Sequence, residues 1–185
     1  RPESRSLSSV QVLSTAYKAD KARIVTHEMC DNMSLQLLEK RLATNQVVLT
    51  INYDTTSLDN PEVRLNYKGE IVLDYYGRPA PKPAHGSMML PFHTSSSHLI
   101  SDAVLGIYDK VVNPMLLVRR ITLAVMDVRY ENDIQESENK QPDNQQLDLF
   151  TDYELLAKQQ QNAKEELNKE RKMQEIEIGR ASCRE

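Results

Sequence analysis

Two adjacent arginines in an apolar segment are the residues of this sequence best suited to contacting phosphate groups. Arg119 and Arg120 lie in a run that predicts a β-strand, and Thr122 follows two residues later. Because side chains alternate along a strand, only one of the two arginines can point to each face. We expect Arg120 to face outward with Thr122, since Arg119 shares the parity of the apolar residues Ile121 and Leu123. The alternative is that this strand face is merely solvated.

The sequence contains no pattern typical of a catalytic or metal centre. No Ser/His/Asp order and no glycine-rich phosphate loop is present. Cys30 and Cys183 share no motif spacing, so we expect a reducing compartment and no disulfide, with Cys30 as a small core residue. The histidines have spacings that match no ligand pattern, which favours ordinary polar roles. They are His27, His85, His93 and His98.

A short apolar segment stands alone in the polar second part of the chain. Residues 131–145 contain almost nothing apolar to bury, and Gln146-Leu147-Asp148-Leu149-Phe150 follows them. An isolated apolar pentad in such a segment is typical of a linear motif, whose side chains are buried on another protein. The other interpretation is that the pentad folds back into a groove of its own domain. Composition alone favours neither.

Charge is distributed unevenly along the 185 residues. Residues 1–130 hold 15 Lys and Arg against 13 Asp and Glu, whereas residues 131–185 hold 8 against 14. An acidic tail argues against nucleic-acid binding by that tail, but it leaves open a local basic stripe on the domain. No apolar run approaches the ~20 residues that span a membrane, so we expect a cytoplasmic protein. The start at Arg1-Pro2-Glu3 suggests a piece of a longer chain.

Hydrophobic periodicity predicts an α+β fold with the order β-α-β-β-α-β. A four-stranded antiparallel sheet would carry both helices on one face and leave the other face open. Residues 54–83 are expected to form a long connection, with a small hairpin at 70–76. The predicted segments are strands at 7–13, 46–53, 85–93 (an edge or bulged strand) and 116–128, a helix from Asp20 to about Ala43, and a helix capped by Ser95 or Ser96 that ends at Asn113-Pro114.

The open face of this sheet is expected to be hydroxyl-rich and basic. Sheets that read single-stranded RNA place stacking aromatic side chains on that face, and none is expected here. Small hydroxyls with an arginine suit contacts to a phosphate backbone, which give affinity without sequence information. The expected face residues are Ser8, Thr50, Asn52, Arg120 and Thr122.

Four segments resemble the carboxy-terminal DNA-binding domain, the little finger, of bacterial Y-family translesion DNA polymerases. They are LSSVQVL at 7–13, QVVLTINYD at 46–54, AHGS at 84–87 and LLVRRITL at 116–123. The resemblance covers about residues 6–130, preceded by a linker at 1–5, and implies a domain that sits in the DNA major groove. The long loop at 54–83 and the weakly basic domain depart from the family. The resemblance implies backbone contacts near Ser8, Ser9, His85 and Ser87, and on Arg119 and Arg120; Thr50 and Thr122 complete the predicted DNA-binding set.

The pentad closely matches the motif by which bacterial polymerases hold the sliding clamp. This resemblance implies that Leu149 and Phe150 enter an apolar pocket, that Gln146 bonds at its rim and that Leu147 packs beside them. The family's two-metal Mg²⁺ site lies in an amino-terminal palm that this chain lacks, so we expect no cofactor and no polymerase activity in this chain alone. The expected partners are primer–template DNA, the sliding clamp and the missing amino-terminal polymerase core. The alternative is a stand-alone RNA-binding or scaffold module without a polymerase parent.

The remaining sequence is expected to contribute little to the fold. Residues 131–145 are predicted to be a disordered linker, and residues 151–177 a solvated helical tail. Residues 178–185 resemble the translation of a sequencing-library adapter and are interpreted as foreign.

Overall fold

The computed structural model describes residues 5–74 and 76–134, together with Lys169 and Lys172. The chain divides into two units, Arg1–Glu131 and Asn132–Glu185. In chain order the elements are β1 (Arg5–Tyr17), α1 (Ala19–Glu39), β2 (Leu42–Tyr53), a 3₁₀-helix (Thr55–Leu58), α2 (Pro61–Asn66), β3 (Ile71–Leu73), β4 (Pro79–Pro81), β5 (Ala84–Thr94), α3 (Ser97–Val111) and β6 (Val118–Tyr130).

Four long strands form one antiparallel sheet in the order β1-β6-β2-β5. The last strand therefore lies between the first two, and β1 and β5 form the edges. The predicted α+β class and the β-α-β-β-α-β order are confirmed. The strand containing Gly86 and Pro91 is an edge strand with a register shift, as its glycine and proline indicated.

One face of the sheet is buried under α1 and α3. Along β2, Val47, Leu49 and Ile51 are fully buried, whereas the residues between them remain half exposed. The same alternation on β6 buries Ile121 and Leu123. Removing these side chains from water is the main stabilising contribution, at roughly 1.5–3 kcal/mol for each large aliphatic residue.

Polar contacts fix the two helices against each other. The Arg23 guanidinium donates to both carboxylate oxygens of Asp109 at 2.8 and 3.0 Å, and the Tyr108 hydroxyl donates to the carbonyl of Ala19 at 2.7 Å. Cys30 is fully buried on α1, as predicted, and burial raises the pKa of its thiol to about 12. The thiol is therefore a packing group and is not poised to act as a thiolate.

Helix α1 ends at Glu39, so the expectation that it continues to about Ala43 is wrong. Arg41 adopts a left-handed conformation with φ 52°, and its backbone N–H donates to the carbonyl of Leu38. This turn closes the helix and sends the chain directly into β2 at Leu42. Leu42 and Ala43 thus belong to the strand.

The connection between β2 and β5 contains more structure than expected. Asn60-Pro61 begins α2, where the Asn60 side chain accepts the backbone N–H of Glu62 at 3.0 Å. The predicted hairpin is present, but it spans β3 and β4, with Ile71 opposite Pro81 and Leu73 opposite Pro79.

Most of the segment after β6 lies outside the described residues. Residues 131–134 are helical, so the predicted disordered linker is wrong for its first four residues. The two described residues of the predicted helical tail, Lys169 and Lys172, are helical. In the part of the chain that the structure describes, no helix combines the length and apolar character needed to cross a bilayer.

Candidate nucleic-acid interface

The face of the sheet opposite the helices carries three adjacent rows of side chains, here called the open face. The strand register defines each row, because residues directly opposite on neighbouring strands point to the same side. None of the residues in these rows is acidic. The rows are Val12–Arg120–Asn52, Val10–Thr122–Thr50–His85 and Ser8–Ala124–Val48–Ser87.

The two arginines of β6 have different environments, as the alternation predicts. Arg120 is exposed on the open face, and no ion pair joins it to a described residue. Arg119 donates to the carbonyl of Ser14 at 3.0 Å and lies 3.7 Å from the Asp54 carboxylate. Arg120 therefore keeps its charge available to a ligand, whereas the structure does not bring Arg119 into the open face.

Thr50 and His85 form a bridge between neighbouring strands on the open face. The Thr50 hydroxyl and His85 Nδ1 are 2.9 Å apart, and His85 is exposed. This hydrogen bond fixes the imidazole at the β5 edge, one row from Ser87. The hydroxyls of Thr50 and Thr122 lie in the same row.

The two serines of β1 point to opposite sides of the sheet. Ser8 pairs with Ala124 in an open-face row, whereas Ser9 pairs with Leu123, which is buried under the helices. Of the predicted DNA-binding residues, the structure therefore brings together Ser8, Thr50, His85, Ser87, Arg120 and Thr122. Ser9 and Arg119 lie outside this set.

Gly86 explains how β5 can carry His85 and Ser87 so close to the helix layer. It faces α3, and a Cβ atom at this position would collide with the Ile107 side chain and come within 3.3 Å of Val111. Only glycine permits this close approach of strand and helix. The packing of Gly86 against α3 thus fixes the position of His85 and Ser87 on the open face.

A fourth row at one end of the open face was missed by the sequence reasoning. Gln46 pairs with Met89 on one side and with Met126 on the other, and both methionines are exposed. Their parity along each strand was the available signal, but only the strand order places the two methionines on either side of Gln46.

The remaining histidines pair with nearby carboxylates or carbonyls. His93 Nε2 lies 3.0 Å from the Asp127 carboxylate, whereas His27 and His98 lie near acids one helical turn away, Asp31 and Asp102. Among the described residues, no group of three or more His, Cys, Asp or Glu side chains could hold a metal ion. The predicted clamp-binding residues Gln146, Leu147, Leu149 and Phe150 lie outside the described residues.

Comparisons with known proteins identify the domain. A family model described as the impB/mucB/samB family C-terminal domain matches residues 4–149. No curated protein matches the chain. The chain is similar to a solved structure titled "Complex of beta-clamp processivity factor and little finger domain of PolIV", at 7% sequence identity and a TM-score of 0.42, covering 80% of this chain and 100% of that chain. With its family match extending over most of its length, the chain belongs to the impB/mucB/samB family as the C-terminal, little-finger domain of a Y-family DNA polymerase.

Proposed function

We propose that this chain grips primer–template DNA and tethers a Y-family translesion polymerase to the sliding clamp. The observation that supports DNA gripping is the open face itself. Its three rows combine Arg120, His85 and four hydroxyl side chains, and they contain no carboxylate. A surface of this kind suits an anionic backbone rather than a cationic or strongly apolar partner.

The contacts are directed to phosphates rather than to base edges. Hydroxyls and an arginine spread across a twisted sheet can reach successive phosphate oxygens, which fixes the position of the DNA without reading its sequence. Such binding releases counterions, so affinity falls as salt rises. A domain with a net charge of only +2 over residues 1–130 is expected to bind weakly by itself.

The Arg120 contact is tested by measuring DNA affinity over a range of salt concentrations. Arg120→Gln should weaken binding to all primer–template sequences alike and reduce the slope of log affinity against log salt by about one contact. Lys110→Gln is the matched control, because it removes an exposed charge from the helix layer. Fluorescence anisotropy with labelled DNA gives both quantities. An unchanged slope for Arg120→Gln, or a strong base preference in the parent, contradicts backbone gripping by this face.

Clamp tethering rests on the pentad and its position. The family match extends to residue 149 and so includes Gln146, Leu147 and Leu149. In the proposed mode Leu149 and Phe150 enter an apolar pocket of the clamp. Burial of such side chains contributes roughly 1.5–3 kcal/mol each, less the cost of ordering the segment.

Titration of a peptide spanning Asn144–Asp152 against the sliding clamp tests this mode. The double change Leu149→Ala/Phe150→Ala should weaken binding on the order of a hundredfold or more, since each 1.4 kcal/mol is about tenfold. Asp148→Ala is the control, because the Asp148 side chain is expected to face solvent. Equal binding by the parent and the double variant contradicts the proposal.

Nucleotide transfer itself is assigned to another part of the polymerase. The family resemblance attributes the two Mg²⁺ ions to an amino-terminal palm, so the contribution of this chain is binding and positioning in a cytoplasmic repair complex. Positioning of this kind accelerates a reaction by holding reactants in a productive geometry.

A further inference from the structure

The outer edge of β1 has none of the features that usually keep a sheet edge from pairing with another strand. Edge strands are commonly protected by charged side chains, proline, bulges or short length. β1 is 13 residues long, and residues 6–16 contain no charged residue, proline or glycine. Its register with β6 runs without a shift from Leu7 to Val12, and among the described residues no strand pairs with its other side. The backbone groups along this edge are therefore open to a further strand.

The opposite edge of the sheet is built differently. β5 contains Gly86 and the exposed Pro91, and proline has no N–H to donate to a ladder. Its register with β2 also shifts next to Thr44, which bends the end of the strand away from a regular ladder. Only the β1 edge is thus both long and regular enough to accept another strand along most of its length.

Two valines at the β1 edge are exposed although they lie in a regular sheet. Val10 and Val12 are two positions apart, so both point to the open face, where they are exposed by 46% and 58%. A strand added beyond β1 would place its own side chains directly beside them and remove part of their surface from water. The edge therefore offers an added strand both backbone hydrogen bonds and apolar contact.

The sequence of β1 is complementary to itself around Val10. Residues 7–13 read LSSVQVL, which has leucine at both ends and a valine at the centre. If a second copy pairs antiparallel about Val10, each residue lies opposite one that points to the same face of the sheet, and no charged side chains are opposed. Three kinds of pair match apolar with apolar or polar with polar, and one is mixed. The pairs are Val10–Val10, Leu7–Leu13, Ser9–Gln11 and, mixed, Ser8–Val12.

We infer that the β1 edge is a self-association surface, on which a second copy of this chain pairs antiparallel through its own β1. A two-fold axis at Val10 relates the copies, so the same edge serves both and the contact closes as a dimer. The two four-stranded sheets become one continuous sheet, with both open faces on the same side. This association goes beyond DNA gripping and clamp tethering and depends on neither.

Disulfide crosslinking of the full chain tests the register. The background variant Cys183→Ser leaves Cys30, which is fully buried, as the remaining native thiol. Val10→Cys should then form a covalent dimer on mild oxidation, because residues directly opposite in an antiparallel pair have Cα atoms roughly 4.5–5.5 Å apart, within disulfide range. Val12→Cys is the matched control. Val12 is the more exposed of the two valines, but its two copies would lie four positions apart, roughly 13 Å along the strand, so this variant should stay monomeric.

Sedimentation equilibrium measures the association without a covalent link. The parent should dimerise as its concentration rises, and Val10→Lys should raise the dissociation constant by about tenfold or more, because it sets two like charges opposite each other. Ile24→Lys is the control, since it adds the same charge at an exposed apolar residue of α1 and should leave the dissociation constant unchanged. Urea unfolding of Val10→Lys should match that of the parent, which excludes a loss of fold as the cause.

Three outcomes overturn the inference. The first is a parent that stays monomeric at all concentrations together with a Val10→Cys variant that forms no disulfide. The second is crosslinking of Val12→Cys as fast as that of Val10→Cys, since random collision or another register would then explain both. The third is a dimer that Ile24→Lys abolishes and Val10→Lys does not, which would place the contact on the helix layer. The salt dependence of DNA binding by Arg120→Gln is a separate measurement, so failure of either proposal is recognised independently of the other.

Discussion

The two faces of the sheet are built from the same strands, yet they serve different purposes. Leu49 and Thr50 are neighbours on β2; the first is fully buried under the helices, and the second bonds to His85 on the open face. The covered face has to exclude water, so it accepts only close-packed apolar side chains. The open face has no such constraint, and its side chains are available for a ligand. If the open face binds DNA as proposed, stability and binding are separated residue by residue along a strand.

The largest expected effect compares Leu49→Ala with Thr50→Ala. Leu49→Ala removes a fully buried side chain and should lower the free energy of unfolding by about 2–5 kcal/mol. Thr50→Ala should lower it by less than about 1 kcal/mol while weakening DNA binding. Urea denaturation and anisotropy on the same samples measure both. A Thr50→Ala variant that unfolds as easily as Leu49→Ala would show that the two faces are not separable.

A smaller effect is expected where the covered face approaches a helix most closely. Gly86→Ala should lower the free energy of unfolding by about 1–3 kcal/mol, because the added methyl group meets Ile107. Gly106→Ala is the control, because a Cβ atom at this position meets nothing within 4 Å. Replacing this helical glycine by alanine should raise the free energy of unfolding by about 0.5–1 kcal/mol. Both changes are measured as shifts of the urea midpoint, provided that the slope of unfolding free energy against urea concentration is the same in all variants. Equal effects of the two variants would contradict the close approach at Gly86.

The smallest effect concerns the exposed outer side of the helix layer. The hydrogen bond from Arg23 holds the pKa of Asp109 below its usual range. The stabilisation is therefore complete above the unfolded pKa of about 3.9 and is lost as pH falls through the lower folded value. Both side chains are about half exposed, so water screens the pair and the contribution should stay below about 1 kcal/mol. The difference in unfolding free energy between the parent and Asp109→Asn should shrink from pH 7 to pH 2; a constant difference would contradict this cause.

Local patterns in the sequence were sufficient to predict the fold class and much of the open face. Alternation of apolar residues depends only on strand geometry, and it correctly separated Arg120 and Thr122 from Ile121 and Leu123. Spacing at three and four residues identified both long helices. The Asn60-Pro61 pair, by contrast, was interpreted as part of a loop, although an asparagine cap followed by proline is also a helix start.

Only the tertiary structure determined which of these residues meet. Strand order and register depend on contacts between distant segments, so no local pattern could align Thr50 with His85 or bring Met89 and Met126 to either side of Gln46. The end of α1 is a similar case, because the left-handed turn that ends the helix is formed by Arg41, at a position where the sequence has no glycine or asparagine to signal it. The sequence by itself determined which face each strand residue belongs to, because that rule is local, and the folded chain determined the neighbours across the sheet, because those contacts are not.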